Sequence, residues 1–345
     1  MNYNWKLSEA NFTKDKGKVF SCFACGGGST MGYKLAGFDV IGHNDIDPKM
    51  VEVYKENHKP KFSYLESITT FAKRKDLPKE LYELDILDGS PPCSSFSMAG
   101  NREKDWGKEK VFREGQELQV LDTLFFDFID LANELRPKVV VAENVKGLLM
   151  GEAKQYVIKI YEAFDKAGYT CQHFLLNASK MGVPQRRERV FFIALRKDLA
   201  PKFMEYVDMF TELPKIEMDF NEKEIPFKEI QNNKKRKLLL NSYLKHFNNT
   251  DHTGRAKLES GNTFGFFYKA IKNLVCATIT SGGYYSIENK PELLNTEELI
   301  NIGSFPQDYK FTDVQPQYLI GMSVPPLMTG KIAEQIYKQW LSKLL

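Results

Sequence analysis

Residues 18–45 read KVFSCFACGGGSTMGYKLAGFDVIGHND, and this stretch leaves the backbone few choices. KVFSCF is apolar and β-favouring, ACGGGS is a tight turn, TMGYKLAG is a short helix ending at Gly37, and FDVIGHND is a second strand. That order predicts a βαβ unit whose glycines occupy the first strand-to-helix turn. Glycines there let the backbone approach a ligand closely, and the amides opening the helix favour electronegative groups. Asp45 follows Gly26 by 19 residues, at the end of the second strand, where a carboxylate can hold ribose hydroxyls.

The alternation continues. LDILDG (84–89) reads as a strand, residues 116–137 as an amphipathic helix stopped by Pro137, and KVVVAENVKGLL (138–149) as a buried strand. KQYVIKIYEAFDKAGY then reads as a helix capped by Gly168, and CQHFLLNA and RVFFIALR (189–196) as further strands. Strands alternating with helices predict a doubly wound, mostly parallel α/β domain with its ligand at the carboxyl ends of the strands. After residue 196 the pattern breaks. Residues 196–230 carry six basic and nine acidic side chains, whereas 231–275 carry nine and two, with NNKKRK and GRAK among them. Basic residues interleaved with polar and aromatic ones suit phosphate and base contacts. The expected division is therefore 1–196 for catalysis and cofactor, 197–314 for an irregular smaller domain with its hinge, and 315–345 returning to the first domain. PPLMTGKIAEQIYKQWLSKLL (325–345) is an amphipathic helix with proline at its start.

Bulk properties narrow the class. A net charge of +3 over 345 residues does not by itself imply a polyanionic partner. The polar N-terminus has no apolar leader segment, and no run approaches the roughly 20 apolar residues needed to span a membrane. Five cysteines at irregular spacing fit a reducing compartment, so a cytoplasmic protein without membrane contact is expected. Cys22 and Cys25 form a CxxC, but no second CxxC or HxxxH supplies further ligands, so no metal is expected. Cys93 is different. In DGSPPCSSFSMAG (88–100), Pro91 and Pro92 lock the backbone before the thiol, and small polar residues follow it. A rigidly held thiol at a strand end beside a flexible stretch is a candidate nucleophile.

FACGGG (23–28), PPCSSFS (91–97), ENV (143–145), QRRERVFFIAL (185–195) and GMSVPP (321–326) occur in an order that resembles the cytosine-C5 DNA methyltransferase family over residues 18–340. The resemblance implies a class I methyltransferase (Rossmann-like) fold with a smaller target-recognition domain. It implies methyl transfer from S-adenosylmethionine, leaving S-adenosylhomocysteine, to carbon 5 of a cytosine flipped out of double-stranded DNA. Carbon 5 is a poor nucleophile until a thiolate adds to carbon 6, which is the role implied for Cys93. Glu143 would hydrogen-bond or protonate the ring nitrogen, and a raised pKa would suit it. Arg187 and Arg189 would form an anion clamp.

By family position, Phe23, Ala24, Gly26, Gly28, Asp45, Ile46, Ile68, Ser90, Pro91, Ser323 and Val324 would line the cofactor site. Ser95, Ser97 and Arg102 would meet DNA from a closing lid (94–112), with Lys104 and Lys108 on phosphates and hinges at Gly100 and Gly107. Lys234, Lys235, Arg236 and Arg255 would contact DNA from the basic stretch. A monomer is expected, with a restriction endonuclease acting separately. Cys25 stands where the family has glycine, Ser67 where it has aspartate, Met322 where it has asparagine, and Asn301–Ile302–Gly303 where it has Arg-Leu-Gln. The rival readings are an RNA cytosine methyltransferase, whose late Cys-Phe-Thr signature is absent, and a catalytically silent DNA-binding relative. A nicotinamide-dependent dehydrogenase would leave Pro-Pro-Cys without a role.

Overall fold

The βαβ unit forms where the sequence places it, with β1 at Lys18–Cys22, α1 at Gly28–Leu35 and β2 at Asp39–Asp45. The structure, a computed structural model, describes residues 2–92, 109–110, 119–120, 123–151, 153–206, 208, 211–258 and 263–344. Gly37 ends the first helix with a φ of +96°, a conformation that costs glycine little. Next come α2 (Pro48–His58), β3 (Phe62–Leu65), α3 (Ile68–Phe71) and β4 (Ile86–Gly89). They are followed by α4 (Leu124–Leu135), β5 (Val139–Val145), α5 (Ala153–Lys166), β6 (Tyr169–Asn177) and β7 (Glu188–Arg196).

These seven strands make one sheet in the order β3-β2-β1-β4-β5-β7-β6. The pairs β3/β2, β2/β1, β1/β4 and β4/β5 are parallel, and β7 runs antiparallel to β5 with Arg189 opposite Val145. The expected doubly wound, mostly parallel sheet is present. The chain leaves β1 toward β3 on one side and returns to β4 on the other, so strand order reverses between β1 and β4. A crevice opens outside the carboxyl ends of strands at such a switch point. Val139 to Ala142 of β5 are buried without alternation, as a strand covered on both faces must be.

The helix expected over 116–137 is shorter. It begins at Leu124, and Gln119–Val120 instead pairs antiparallel with Glu109–Lys110. The true amphipathic repeat is Leu124, Phe125, Phe128, Ile129, Leu131, Ala132 and Leu135, all buried. Each fully buried Phe or Leu there contributes on the order of 2 kcal/mol. The C-terminal helix, α9, spans Pro326–Gln339 and stops before residue 345, where the Trp340 indole donates to the Lys215 carbonyl at 2.8 Å.

The chain divides into two compact units. The sheet unit comprises residues 12–176, 188–219 and 330–345; the second unit comprises 1–11, 177–187 and 220–329. Residues 204–219, beyond the end of the strand–helix alternation, belong to the sheet unit, where Gln172 donates to the Pro214 carbonyl and Trp340 to that of Lys215. The second unit contains a three-stranded sheet of β8 (Arg255–Lys257), β9 (Thr263–Ala270) and β10 (Tyr284–Ile287). It also holds the short helices α6 (Leu244–Asn248), α7 (Thr296–Ile302) and α8 (Pro316–Met322). Its N-terminal segment is tied down by Trp5 Nε1 donating to the Ser304 carbonyl (2.9 Å), and by the Leu7 and Ser8 amides on Asp308. Among the described residues no helix is long and apolar enough to cross a membrane.

One buried carboxylate joins β1, α1 and β4. Asp88 accepts from Ser21 Oγ (2.7 Å), Ser29 Oγ (2.8 Å) and Tyr33 OH (3.1 Å). Burial raises its pKa from 3.8 to about 6, against the pull of those three donors and with a push from Glu143. The folded state therefore keeps a proton that the unfolded chain releases between about pH 4 and 6, so this group's contribution to stability rises as pH falls through that window. Asp88→Asn should remove that dependence. The wild-type-minus-variant difference in urea unfolding free energy should change by about 2 kcal/mol between pH 7 and pH 4.5; an unchanged difference contradicts the assignment.

Candidate active site

The turn between β1 and α1 is built from left-handed residues, with φ of +51° at Phe23, +49° at Cys25 and +83° at Gly27. Cys25 occupies this conformation without being glycine, at a cost of about 1 kcal/mol. Its amide donates to Asp45 Oδ2 at 2.7 Å, and its sulfur lies 3.6 Å from Met50 Sδ. Asp45 Oδ1 accepts from the Asp47 amide at 2.9 Å, so the carboxylate clips the glycine turn to the end of β2. Burial raises the Asp45 pKa to about 6, leaving it ionised at neutral pH with lone pairs for further donors.

The neighbouring strand ends are sewn to it. Ala24 N donates to the Asn44 carbonyl, Asn44 Nδ2 to the Glu66 carbonyl at 2.8 Å, and Glu66 N to the Asp45 carbonyl. Ser67, in place of the family's aspartate, caps α3 by accepting from the Thr70 amide at 3.2 Å. Phe23 and Ile46 are half-buried, and the Phe23 ring lies 6.3 Å from Phe128. Ile68 is 2% exposed and belongs to the hydrophobic core. Gly89 ends β4 where a Cβ would fall 2.5 Å from the Phe128 ring, so only glycine lets Ser90 and Pro91 follow at this height.

Beside them stands an acid–base pair. Glu143 of β5 and Arg189 of β7 lie diagonally across the antiparallel pair, and Arg189 Nε meets Glu143 Oε1 at 2.9 Å. Their side chains are 12% and 16% exposed. Burial lowers the Arg189 pKa while Glu143 opposes the shift, and a guanidinium stays charged at neutral pH either way. Asn144 Nδ2 donates to the Pro91 carbonyl at 3.1 Å, fixing the chain two residues before position 93. Cys93, Ser95, Ser97, Gly100, Arg102, Lys104, Gly107 and Lys108 lie outside the described residues. Of the other cysteines, Cys22, Cys171 and Cys276 are buried, and burial raises each thiol's pKa.

Arg187, expected in the clamp beside Arg189, belongs to the second unit. It is 3% exposed, and it donates to the carbonyls of Ile279 (3.0 Å) and Gly321 (2.9 Å). Gln185 acts alongside it, donating to the Ile302 carbonyl and accepting from the Ile279 amide. Ser323 and Val324 are buried in the same unit, Ser323 Oγ donating to the Leu319 carbonyl at 2.8 Å.

The basic stretch divides by partner. Arg236, read from sequence as a DNA contact, is 8% exposed and forks onto Glu298, with Nη2 to Oε1 at 2.6 Å and Nε to Oε2 at 3.1 Å. Glu298 is fully buried and completes a capping box with Asn295 at the start of α7. A buried charge needs a partner, and Arg236 supplies it. Lys234 pairs with Glu297. Lys235, Lys237 and Arg255 are exposed. Lys235 and Lys237 border a cavity of about 300 Å³ also lined by Tyr284 and Gln317. Sequence reasoning missed Asp88, Asn144 and Glu298 as organising residues. An acid in a glycine-terminated strand was the one available signal for Asp88.

Truncating Arg189 to alanine should strand a mostly buried carboxylate and cost about 2–4 kcal/mol. Arg189→Ala combined with Glu143→Gln should recover at least half of that in urea unfolding. A neutral Arg189→Ala would contradict the pairing.

Residues 17–338 match the family of C-5 cytosine-specific DNA methylases. The Type II methyltransferase M.FnuDI of Fusobacterium nucleatum is 37% identical over 183 residues, 53% of this chain and 48% of its own; the chain thus spans about half the length of that curated relative. The Type II methyltransferase M1.HphI of Haemophilus parahaemolyticus is 28% identical over 331 residues, 92% of this chain and 85% of its own. In fold, the crystal structure of the S. pombe Dnmt2 methyltransferase superposes with a TM-score of 0.60 at 15% identity, covering 95% of this chain and 99% of that one.

Proposed function

The chain belongs to the C-5 cytosine-specific DNA methylase family, and from that premise we propose that it methylates carbon 5 of cytosine in double-stranded DNA. S-adenosylmethionine is the donor in this reading, and Cys93 is the transient covalent partner of the base. The observation that supports it most is that Glu143, paired with Arg189, is followed in β5 by Asn144, which holds the Pro91 carbonyl two residues before Cys93.

The residues present suit the donor. Asp45 offers an ionised carboxylate for ribose hydroxyls at the end of β2, and Gly26 to Gly28 keep the backbone open beside it. When bound, S-adenosylmethionine supplies a methyl group on a positively charged sulfur. Cys93, as thiolate, adds to carbon 6 and turns carbon 5 into a nucleophile. Glu143, entering this step in its acid form, donates its proton to the ring nitrogen where charge gathers and takes it back when Cys93 leaves, while Arg189 holds Glu143 in place and adds positive charge beside the base. After carbon 5 takes the methyl group, its proton passes to solvent and Cys93 leaves as thiolate, restoring the ring.

Lys235, Lys237 and Arg255 are assigned to phosphates; Arg236 is left out because Glu298 already engages it. Arg187 holds the segments at Ile279 and Gly321 and acts on the reaction only through them. We place the enzyme in the cytoplasm beside a separately acting restriction endonuclease.

The test is transfer of labelled methyl groups to duplex DNA, with tRNA as the competing substrate. Cys93→Ser should abolish transfer while leaving donor binding intact, and Glu143→Gln should lower kcat by about 10²–10⁴-fold. Duplexes carrying 5-fluorocytosine should be trapped on Cys93 in the presence of donor. A Cys93→Ser protein that still methylates, or preferential labelling of tRNA, overturns the reading.

Salt dependence tests the phosphate contacts. Each of Lys235→Ala and Lys237→Ala should reduce the slope of log affinity against log salt by about 1. Arg236→Ala should instead lower the unfolding midpoint. An unchanged slope in both lysine variants removes these two residues from the interface.

A further inference from the structure

Beneath the glycine turn sits a histidine that no motif singles out. His58, the last residue of α2, is 7% exposed. Its Nε2 lies 3.4 Å from the Gly26 carbonyl and its Nδ1 lies 3.5 Å from Lys34 Nζ, which also donates to the His58 carbonyl at 3.3 Å. These partners decide the tautomer. A carbonyl only accepts and an ammonium only donates, so Nε2 carries the hydrogen and Nδ1 is bare. Burial, and then the Lys34 cation, hold the imidazole well below its ordinary pKa and keep it neutral. Lys34, drawn down to about 8 by burial, remains protonated at neutral pH.

The ring is held from the side as well. Tyr54 lies 4.7 Å from it, stacks on His43 at 3.7 Å, and shares a 2.9 Å hydrogen bond with Thr30 of α1. The turn is shaped around the imidazole: a Cβ on Gly27 would stand 2.3 Å from Nε2 and 2.6 Å from Cδ2. The other end of the Gly26–Gly27 peptide is also engaged, since the Gly27 amide donates to the Ala24 carbonyl at 2.8 Å.

We propose that His58 is a positioning residue of the cofactor turn, fixing the Gly26–Gly27 peptide plane by donating from Nε2 to the Gly26 carbonyl. With that peptide held at both ends, the first amides of α1 have one orientation toward a ligand. The inference rests on reading the turn as the seat of S-adenosylmethionine.

The test compares His58→Phe, which keeps a ring and removes the donor, with His58→Gln, which keeps a donor. Binding of S-adenosylhomocysteine is measured by calorimetry, and KM for the donor and kcat by methyl transfer. His58→Phe should weaken binding and raise KM by about tenfold, the worth of one hydrogen bond, with kcat within about twofold. His58→Gln should stay within about threefold of wild type. Nitrogen NMR of the wild type should show the proton on Nε2, and Lys34→Met should release that tautomer preference even if His58→Phe fails to fold. Wild-type affinity in His58→Phe, equal losses in both His58 variants, or a proton on Nδ1 overturns the proposal alone. A wild type that binds no S-adenosylhomocysteine overturns the cofactor reading, and this role with it.

Discussion

The carboxylate of Asp88 is the point on which the crevice depends. Buried acids are costly, and this one is tolerated because three hydroxyls converge on it from Ser21, Ser29 and Tyr33. Those donors come from β1 and α1, while Asp88 itself lies in β4, so one group ties together the two strands at which the sheet reverses its winding. Ala24 to Gly28 leave β1 at that height, and Ser90 to Pro92 leave β4 beside them. Asp45 repeats the device one strand over, joining the turn to β2 through backbone amides.

Three arginines of similar appearance in the sequence have three different physical situations. Arg189 faces Glu143 across the β5–β7 pair, where two charges can share one partly dry edge. Arg187 spends its guanidinium on two backbone carbonyls of the second unit, that of Ile279 and that of Gly321 in the last turn of α8, where a helix carbonyl has no partner further along the helix. Arg236 neutralises Glu298 inside a helix cap. The neighbours decide each role: a cation beside a buried carboxylate is held there by the cost of leaving that carboxylate alone. Lys235, Lys237 and Arg255, by contrast, are exposed.

The departures from the family pattern are accommodated locally. Cys25 keeps the left-handed turn that glycine would enter freely, assisted by its amide bond to Asp45. Ser67 still caps α3, since any side-chain oxygen at that position can accept from the Thr70 amide. Asn301 is buried and accepts from Gln307, and the adjoining Ile302 carbonyl takes a bond from Gln185.

Periodicity and turn chemistry made the sheet unit legible. The βαβ unit, the unbroken apolar run of β5 and the amphipathic face of α4 each follow from local patterns, because a strand or helix repeats its burial at a fixed interval. The helical pattern ran too far upstream: the helix begins at Leu124, and Gln119–Val120 pairs with Glu109–Lys110 instead. Candidate residues such as Glu143 and Asp45 were visible because they lie toward the carboxyl ends of legible strands, the side on which such sheets bind ligands. What only the folded chain decided was partnership: that His58 touches Gly26, that Asp88 gathers three hydroxyls, that Arg236 closes on Glu298, and that residues 1–11 and 177–187 join 220–329. Local sequence encodes spacing along one element. Hydrogen bonds and ion pairs between groups far apart in the chain depend on distances that exist only after the elements pack.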